Sequence, residues 1–251
     1  MDVLVQPLLW PHPGGAVACD PYFGNVVLLM GYEGANGSTG APGMTDESPA
    51  AHGTGSVASP FKISTTKFKF GSSSLSGSPG TSGVLWFTHS TDFNLGSGLF
   101  TIEAWVNFNT IVANYQFIVA VWQTPGNNSW ALSTGPTGTT LNWNVSTTGS
   151  DNNADISGAW SPTTNTWYHV AVDYDGTKYR GYVNGTMVGS STTARNIFAS
   201  GDNLSIGTNQ LGNAFWLDGY IDELRITKGV ARYASDAGFA VPTAAFPRVQ
   251  C

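Results

Sequence analysis

The run GYIDELRITKGVARY at Gly219–Tyr233 constrains this chain most when taken with three others: FTIEAWVNF at Phe100–Phe108, WYHVAVDYD at Trp167–Asp175 and YRGYVNGTMVGS at Tyr179–Ser190. All four are strand-like. In the second, Phe100, Ile102, Ala104, Val106 and Phe108 point one way, while Thr101, Glu103, Trp105 and Asn107 point the other. That is the period of two of a pleated strand. Tyr168, Val170, Val172 and Tyr174 alternate in the same manner. Between two strand runs stands Asn184-Gly185, a pair that tolerates positive φ at both central turn positions and so predicts a tight hairpin. No segment sustains a helical period, and Val230–Ala237 is expected to form at most one turn. The absence of an internal repeat excludes a propeller or a solenoid.

The chain has 251 residues, of which 41% are hydrophobic, enough for the core of one large all-β domain or two small ones. Only 10% are charged, far below the ~25% of an average soluble domain. Its surface is therefore built for hydrogen bonds rather than ion pairs. The net charge is −6 with Lys and Arg dispersed, so there is no basic stripe for phosphates and no nucleic-acid partner is expected. No apolar run approaches the ~20 residues that cross a bilayer, so no membrane insertion is expected. The start, MDVLVQPLLWPHPGG, lacks a basic n-region and is broken by prolines. It does not read as a signal peptide, which predicts synthesis in a cytoplasm. The two cysteines, Cys19 and Cys251, would be near each other if the ends of the domain meet. In a reducing compartment free thiols are expected instead.

Residues 1–20 read as an extended arm. Pro7, Pro11, Pro13 and Gly14-Gly15 deny it regular structure, yet Val3, Val5, Leu8, Leu9 and Trp10 are apolar for a free tail. The expectation is that it lies on a neighbouring subunit rather than on its own domain. The domain proper spans 21–247, with 248–251 as a tail. Asn25–Tyr32 is a nearly continuous apolar run and predicts a central buried strand. Gly34–Gly55 is a loop. Lys67–Phe70 reads as a half-exposed edge strand. Val84–Phe87, Tyr115–Trp122, Trp130–Leu132 and Leu141–Val145 are expected strands, Ser146–Ser157 a polar loop. Asn203–Thr208 and Trp216–Thr227 close the sheets.

Several blocks together resemble the laminin-G-like, concanavalin-A-like lectin jelly roll, in the form found in tailed-phage structural proteins. They are DPYFGNVVLL (Asp20–Leu29), FNLGSGLFTIEAWVNF (Phe93–Phe108), TWYHVAV (Thr166–Val172), GYVNGTMVGS (Gly181–Ser190), LSIGTN (Leu204–Asn209), GYIDELRITKGVARY and PTAAFP (Pro242–Pro247). The phage likeness rests mainly on ITKGVARY and PTAAFP. The resemblance implies an all-β, antiparallel two-sheet β-sandwich, here with an extended N-terminal arm. It also implies rim loops that bind glycans or proteins, and in some members a structural calcium ion.

Glycosidic cleavage needs two carboxyl groups facing one cleft, and no Glu-x-Asp-x-Glu pattern is present. Glu103 is a lone acid expected to be structural. Asp222 and Glu223 are adjacent and should face opposite sides of a strand. Asp173 and Asp175 run into a turn at Asp175-Gly176. His12, His52, His89 and His169 are scattered, and neither a Gly-x-Ser-x-Gly elbow nor a metal motif occurs. No enzymatic activity is expected. Calcium seeks several hard oxygen ligands, for which Glu33, Asp46 and Asp222 are the candidates. Sugars stack on aromatic rings while amides take their hydroxyls. That nominates Trp122, Trp160 and Trp216 with Asn127, Asn128, Asp151 and Asn152, whereas Trp105, Trp143 and Trp167 read as core. The expectation is a virion structural protein, on the capsid or tail surface of a tailed phage. Its arm would dock on other virion proteins or on copies of itself, with host surface glycan as a further partner. A glycan-binding adhesin is the alternative, and a glycosidase the least supported reading.

Overall fold

The computed structural model describes residues 18–78, 83–123 and 126–251. The arm expected over 1–20, and its docking on a neighbour, lie outside the described residues up to position 17. The strands are β1 (Val26–Met30), β2 (Ser56–Val57), β3 (Lys62–Ser64), β4 (Ser74–Gly77), β5 (Leu85–Phe87), β6 (Phe100–Phe108), β7 (Phe117–Val121) and β8 (Trp130–Thr134). They continue as β9 (Thr140–Val145), β10 (Asn153–Ala159), β11 (Trp167–Tyr174), β12 (Tyr179–Val183), β13 (Thr186–Ser191), β14 (Leu204–Ile206) and β15 (Gly219–Lys228). Two three-residue 3₁₀ turns are the only helical pieces among them.

The strands make two sheets. One runs β13-β12-β11-β6-β15-β4-β3, with β1 also paired to β15; the other runs β10-β9-β8-β7-β14-β5-β2. The expected two-sheet sandwich is the observed one. The inward residues of β6 and β11 pack against Leu132, Leu141, Trp143, Val145 and Ile206 of the facing sheet. Trp130 and Trp143 stack with centroids 5.8 Å apart. Each removes roughly 200 Å² from water, on the order of 5 kcal/mol of gross stabilisation. Trp130 also satisfies its indole N–H, donating to the Phe93 carbonyl at 2.9 Å. Asn184 and Gly185 have φ of 48° and 75°, as the hairpin between β12 and β13 requires.

Several expectations are corrected. β1 is not central: its one partner strand is β15. Its run is apolar throughout because both its faces are covered. Leu28 and Met30 enter the main core, while Val26 and Leu29 pack under Phe246. Lys67–Phe70 forms no strand. Lys69 instead lays its ammonium 4.0 Å from the Trp105 ring centroid. Asn153–Ala159, expected within a polar loop, is β10, paired to β9. Val230–Ala237 holds no helix and a single turn at Asp236-Ala237, within what was expected of it. Cys19 and Cys251 are not free thiols but a disulfide, with Cα atoms 4.9 Å apart. The reason is geometric: a parallel bridge between Asp20 and Gln250 brings the two ends together.

The outward face of the eight-stranded sheet is sealed by charge. Glu103 is fully buried, and its Oε1 accepts from Arg225 Nε at 3.0 Å and Nη2 at 2.7 Å. Its Oε2 accepts from the Tyr233 hydroxyl and lies 3.1 Å from His169 Nε2. Burial alone would push the Glu103 carboxyl up; the Arg225 charge and the bonds from His169 and Tyr233 outweigh it and hold it well below the usual range. Asp20 accepts from Arg225 Nη1 at 3.0 Å and Arg232 Nη2 at 2.8 Å. Arg248, in the expected tail, donates to Glu223 and Glu47. The segment 229–251 is thus strapped across this face. Among the described residues no helix is long and apolar enough to cross a membrane.

Candidate functional site

The outward face of the other sheet is built from different material. Outward positions on its central strands are Ala120, Ala131 and Ser205, all fully buried. Ser205 lies opposite Ala120, Ala120 opposite Ala131, and Ala131 opposite Asn144. This row of small side chains makes a furrow across the strands. A bulge in β7 between Phe117 and Val119 lets Ile118 and Val119 both enter the main core while Phe117 stays outside.

Aromatic rings rise at the furrow's rim. Phe215 stacks on Phe117 at 4.7 Å and meets Tyr115 edge-on at 5.8 Å. Phe215 holds φ of 61°, a left-handed conformation that costs a bulky residue roughly 1–2 kcal/mol and is maintained by its surroundings. Together Tyr115, Phe117, Trp122, Asn144, Asn152 and Phe215 line a small cleft of about 40 Å³. Asn144 Nδ2 donates to Asn152 Oδ1 at 2.8 Å. Asn144 is 5% exposed, and its Oδ1 is buried with no partner. Ser133, on the same outward face opposite Phe117, also has an unpartnered buried hydroxyl. Buried polar atoms normally find partners; neither of these two reaches the surface of the cleft, where the exposed amide is that of Asn152.

Two of the seven residues nominated for sugar contact, Trp122 and Asn152, are in this cleft. Trp160 is not: it belongs to the main core, with Tyr168 edge-on at 5.3 Å and Phe108 at 5.7 Å. Its place beside a polar loop misled because the ring turns inward. Asp151 spends its oxygens on its own loop, accepting from Ser146, Thr147, Thr148 and Asn153. Those bonds, Ser146 foremost, hold its carboxyl far below the usual range. Asn128 accepts from Gln123 N at 3.1 Å, and Asn127 is exposed with its carbonyl taken by Ser200. Trp216, beside Phe215, donates to the Gly212 carbonyl at 3.2 Å. Tyr115, Phe117, Asn144 and Phe215 were not nominated. The sequence signal for them was the pair of alanines at outward positions of two central strands, which marks a floor lower than its rim.

The three calcium candidates are held apart by separate tasks. Asp46 accepts from Leu29 N, Ser48 N and Oγ, and His52 N. Glu33 accepts from Ser72 N and Oγ. Asp222 accepts from Lys69 N at 2.7 Å and Phe70 N at 3.1 Å. Among the described residues no group of three or more His, Cys, Asp or Glu is placed to hold a metal ion. A bulge in β15 between Asp222 and Arg225 also breaks the alternation expected of Asp222 and Glu223. Ile221 and Leu224 enter the core, and neither carboxylate does. Burial pushes the Asp222 carboxyl up to about 7, with the neighbouring Glu223 charge adding to the rise. Burial likewise raises Asp173 to about 6. Both accept backbone N–H groups, and neither lines the cleft. Asp175 accepts from Thr177 N and Lys178 N and serves the turn, as expected.

No curated protein matches the chain. Solved structures do, at identities that show the fold alone. Domain 4 of AbnA, a GH43 extracellular arabinanase from Geobacillus stearothermophilus solved with arabinotriose, is 14% identical with a TM-score of 0.57, over 82% of this chain and 93% of that one. The binding domain of Paraclostridial Mosquitocidal Protein 1 is 15% identical, TM-score 0.59, over 84% and 50%. Botulinum neurotoxin type C, whose cell entry depends on interaction with two ganglioside molecules, is 16% identical, TM-score 0.60, over 84% and 49%. The chain spans about half the length of these two toxin chains. A family model covering residues 78–234, more than half of the sequence, matches as well, and by it the chain belongs to the Concanavalin A-like lectin/glucanases superfamily.

Proposed function

We propose that this chain is a non-catalytic glycan-binding module whose site is the cleft on the seven-stranded sheet. The observation that carries the reading is the aromatic lining of Tyr115, Phe117, Trp122 and Phe215 beside the exposed amide of Asn152. Aromatic faces cover the apolar side of a sugar ring, and amides meet its hydroxyls. Two structural neighbours carry bound-sugar or ganglioside descriptions, which supports the reading. The acids tested as catalytic candidates are engaged elsewhere, and none lines the cleft. A glycan array with the parent and with Phe215→Gly tests it. Binding that disappears in the variant is expected, and absence of binding by the parent defeats the reading.

The finer reading places this module on the virion surface of a tailed phage, on the capsid or tail, after synthesis in the host cytoplasm. It rests on the blocks ITKGVARY and PTAAFP and on the apolar character of residues 1–18. The arm would dock on another virion protein or a copy of the chain, and the cleft would face the host glycan. Deleting residues 1–18 should then abolish incorporation into particles while the jelly roll still folds. Incorporation of the truncated chain at the parent's level defeats this placement.

A further inference from the structure

The distribution of charge sets the class of sugar. The sequence holds ten Lys and Arg residues, and none of them lines the cleft. Lys62 and Lys228 lie on β3 and β15 of the eight-stranded sheet. Lys67 bonds Asn109 and Asn165, and Lys69 covers Trp105. Lys178 and Arg180 pair with Asp236. Arg225, Arg232 and Arg248 belong to the sealed face. Arg195 alone is near the cleft's side of the molecule, bound through Nε and Nη2 to Asp155 of β10. Next in sequence to the cleft residue Asn152 stands Asp151, whose hydrogen bonds keep it ionised.

Resting on the glycan reading above, we infer that the cleft takes neutral saccharides and rejects sialylated, uronic or sulfated ones. A carboxylate or sulfate entering it would leave water with no cation to meet it. A neutral hydroxyl meets the opposite situation. It can bond the amide of Asn152, which is exposed at the cleft and held by Asn144 Nδ2 at 2.8 Å. The aromatic lining supplies apolar surface without charge, which the apolar face of a sugar ring can cover.

Isothermal titration against two panels tests this. The neutral panel is arabinotriose, cellotetraose and N-acetyllactosamine. The anionic panel is sialyllactose, an oligogalacturonate and a chondroitin sulfate oligosaccharide. The expected result is binding within the neutral panel, with affinity unchanged between low and high salt. Asn152→Ala should weaken it about tenfold, the worth of one hydrogen bond, and Phe215→Gly should abolish it. Near-ultraviolet circular dichroism confirms that each variant is folded, and either variant suffices. Salt-sensitive binding of an anionic sugar that both variants weaken overturns the charge inference and leaves the glycan reading standing. Binding in neither panel overturns both, as does binding that neither variant changes.

Discussion

The two outward faces of this sandwich start from the same alternation and are finished in opposite ways. On the eight-stranded sheet the outward residues include Glu103, His169 and Arg225, which the strap 229–251 covers, and Trp105, which Lys69 and Phe70 cover. Nearly every charge there meets its complement inside the chain. On the seven-stranded sheet the corresponding positions are Ala120, Ala131, Ser133 and Asn144. No ion pair crosses them; unpartnered buried polar atoms occur on both faces, Ser133 Oγ and Asn144 Oδ1 here, His169 Nδ1, Asp173 Oδ1 and Asp222 Oδ1 on the other. The contrast teaches that buried charge and buried amide serve different ends. A charged network must be complete, since removing one partner strands the other. An uncharged face has no such network to complete, and aromatic rings can be presented on it.

The sharpest way to break the comparison is Glu103→Ala. It should destabilise the chain by about 3–5 kcal/mol, because Arg225 loses its main counter-charge in a buried site. Urea unfolding measures this, and a loss below about 1 kcal/mol would show that the sealed face does not depend on its ion network. Next comes the double replacement of Cys19 and Cys251 by Ser, which opens a loop of sequence separation 232. It should cost about 2–4 kcal/mol, read as a fall in denaturation midpoint that reducing agent reproduces in the parent.

Asp222 sharpens the contrast further, since with Asp173 it is one of two incompletely bonded carboxylates on the sealed side. Its Oδ1 is unpartnered, and its folded pKa is raised to about 7. The folded state therefore holds the proton more tightly than the unfolded state. Its contribution to stability is fully present below about 4 and is lost as pH rises through about 7. Asp222→Asn should remove that loss and stabilise the chain above neutrality by about 1–3 kcal/mol. Equal pH slopes for parent and variant would refute it. Glu103 has the opposite sign: its carboxyl is held low, so its contribution disappears on acidification below about 4.5. The smallest effect on stability belongs to the open side. Phe215→Gly loses half-buried ring packing but relieves a left-handed backbone, so the two should offset to within about 1 kcal/mol, while glycan affinity falls more than tenfold.

Much of the fold was legible in the sequence. The alternation in β6 and β11 placed every inward residue correctly, and Asn184-Gly185 marked its hairpin, because period and turn chemistry are local. β1 was misplaced because a strand covered on both faces reads the same wherever it sits in a sheet. β10 was missed because Ile156 is its one large apolar side chain. The disulfide was missed because compartment was weighed above geometry. The cleft was half legible. Trp122 and Asn152 announce themselves beside polar loops, but Phe117 and Phe215 meet only through a bulge and a strained turn nearly a hundred positions apart, which no local pattern records.

β1 and β15 are neighbours in space, yet one is near the start of the domain and the other near its close. A ribosome therefore releases the first strand long before its mate exists. Leu28, Leu29 and Met30 must wait, sticky and unpaired, while some two hundred further residues are translated. Non-local pairing of this kind folds slowly and exposes the nascent chain to aggregation. A chaperone that shields this early segment should raise the yield of folded protein more than one that acts after release.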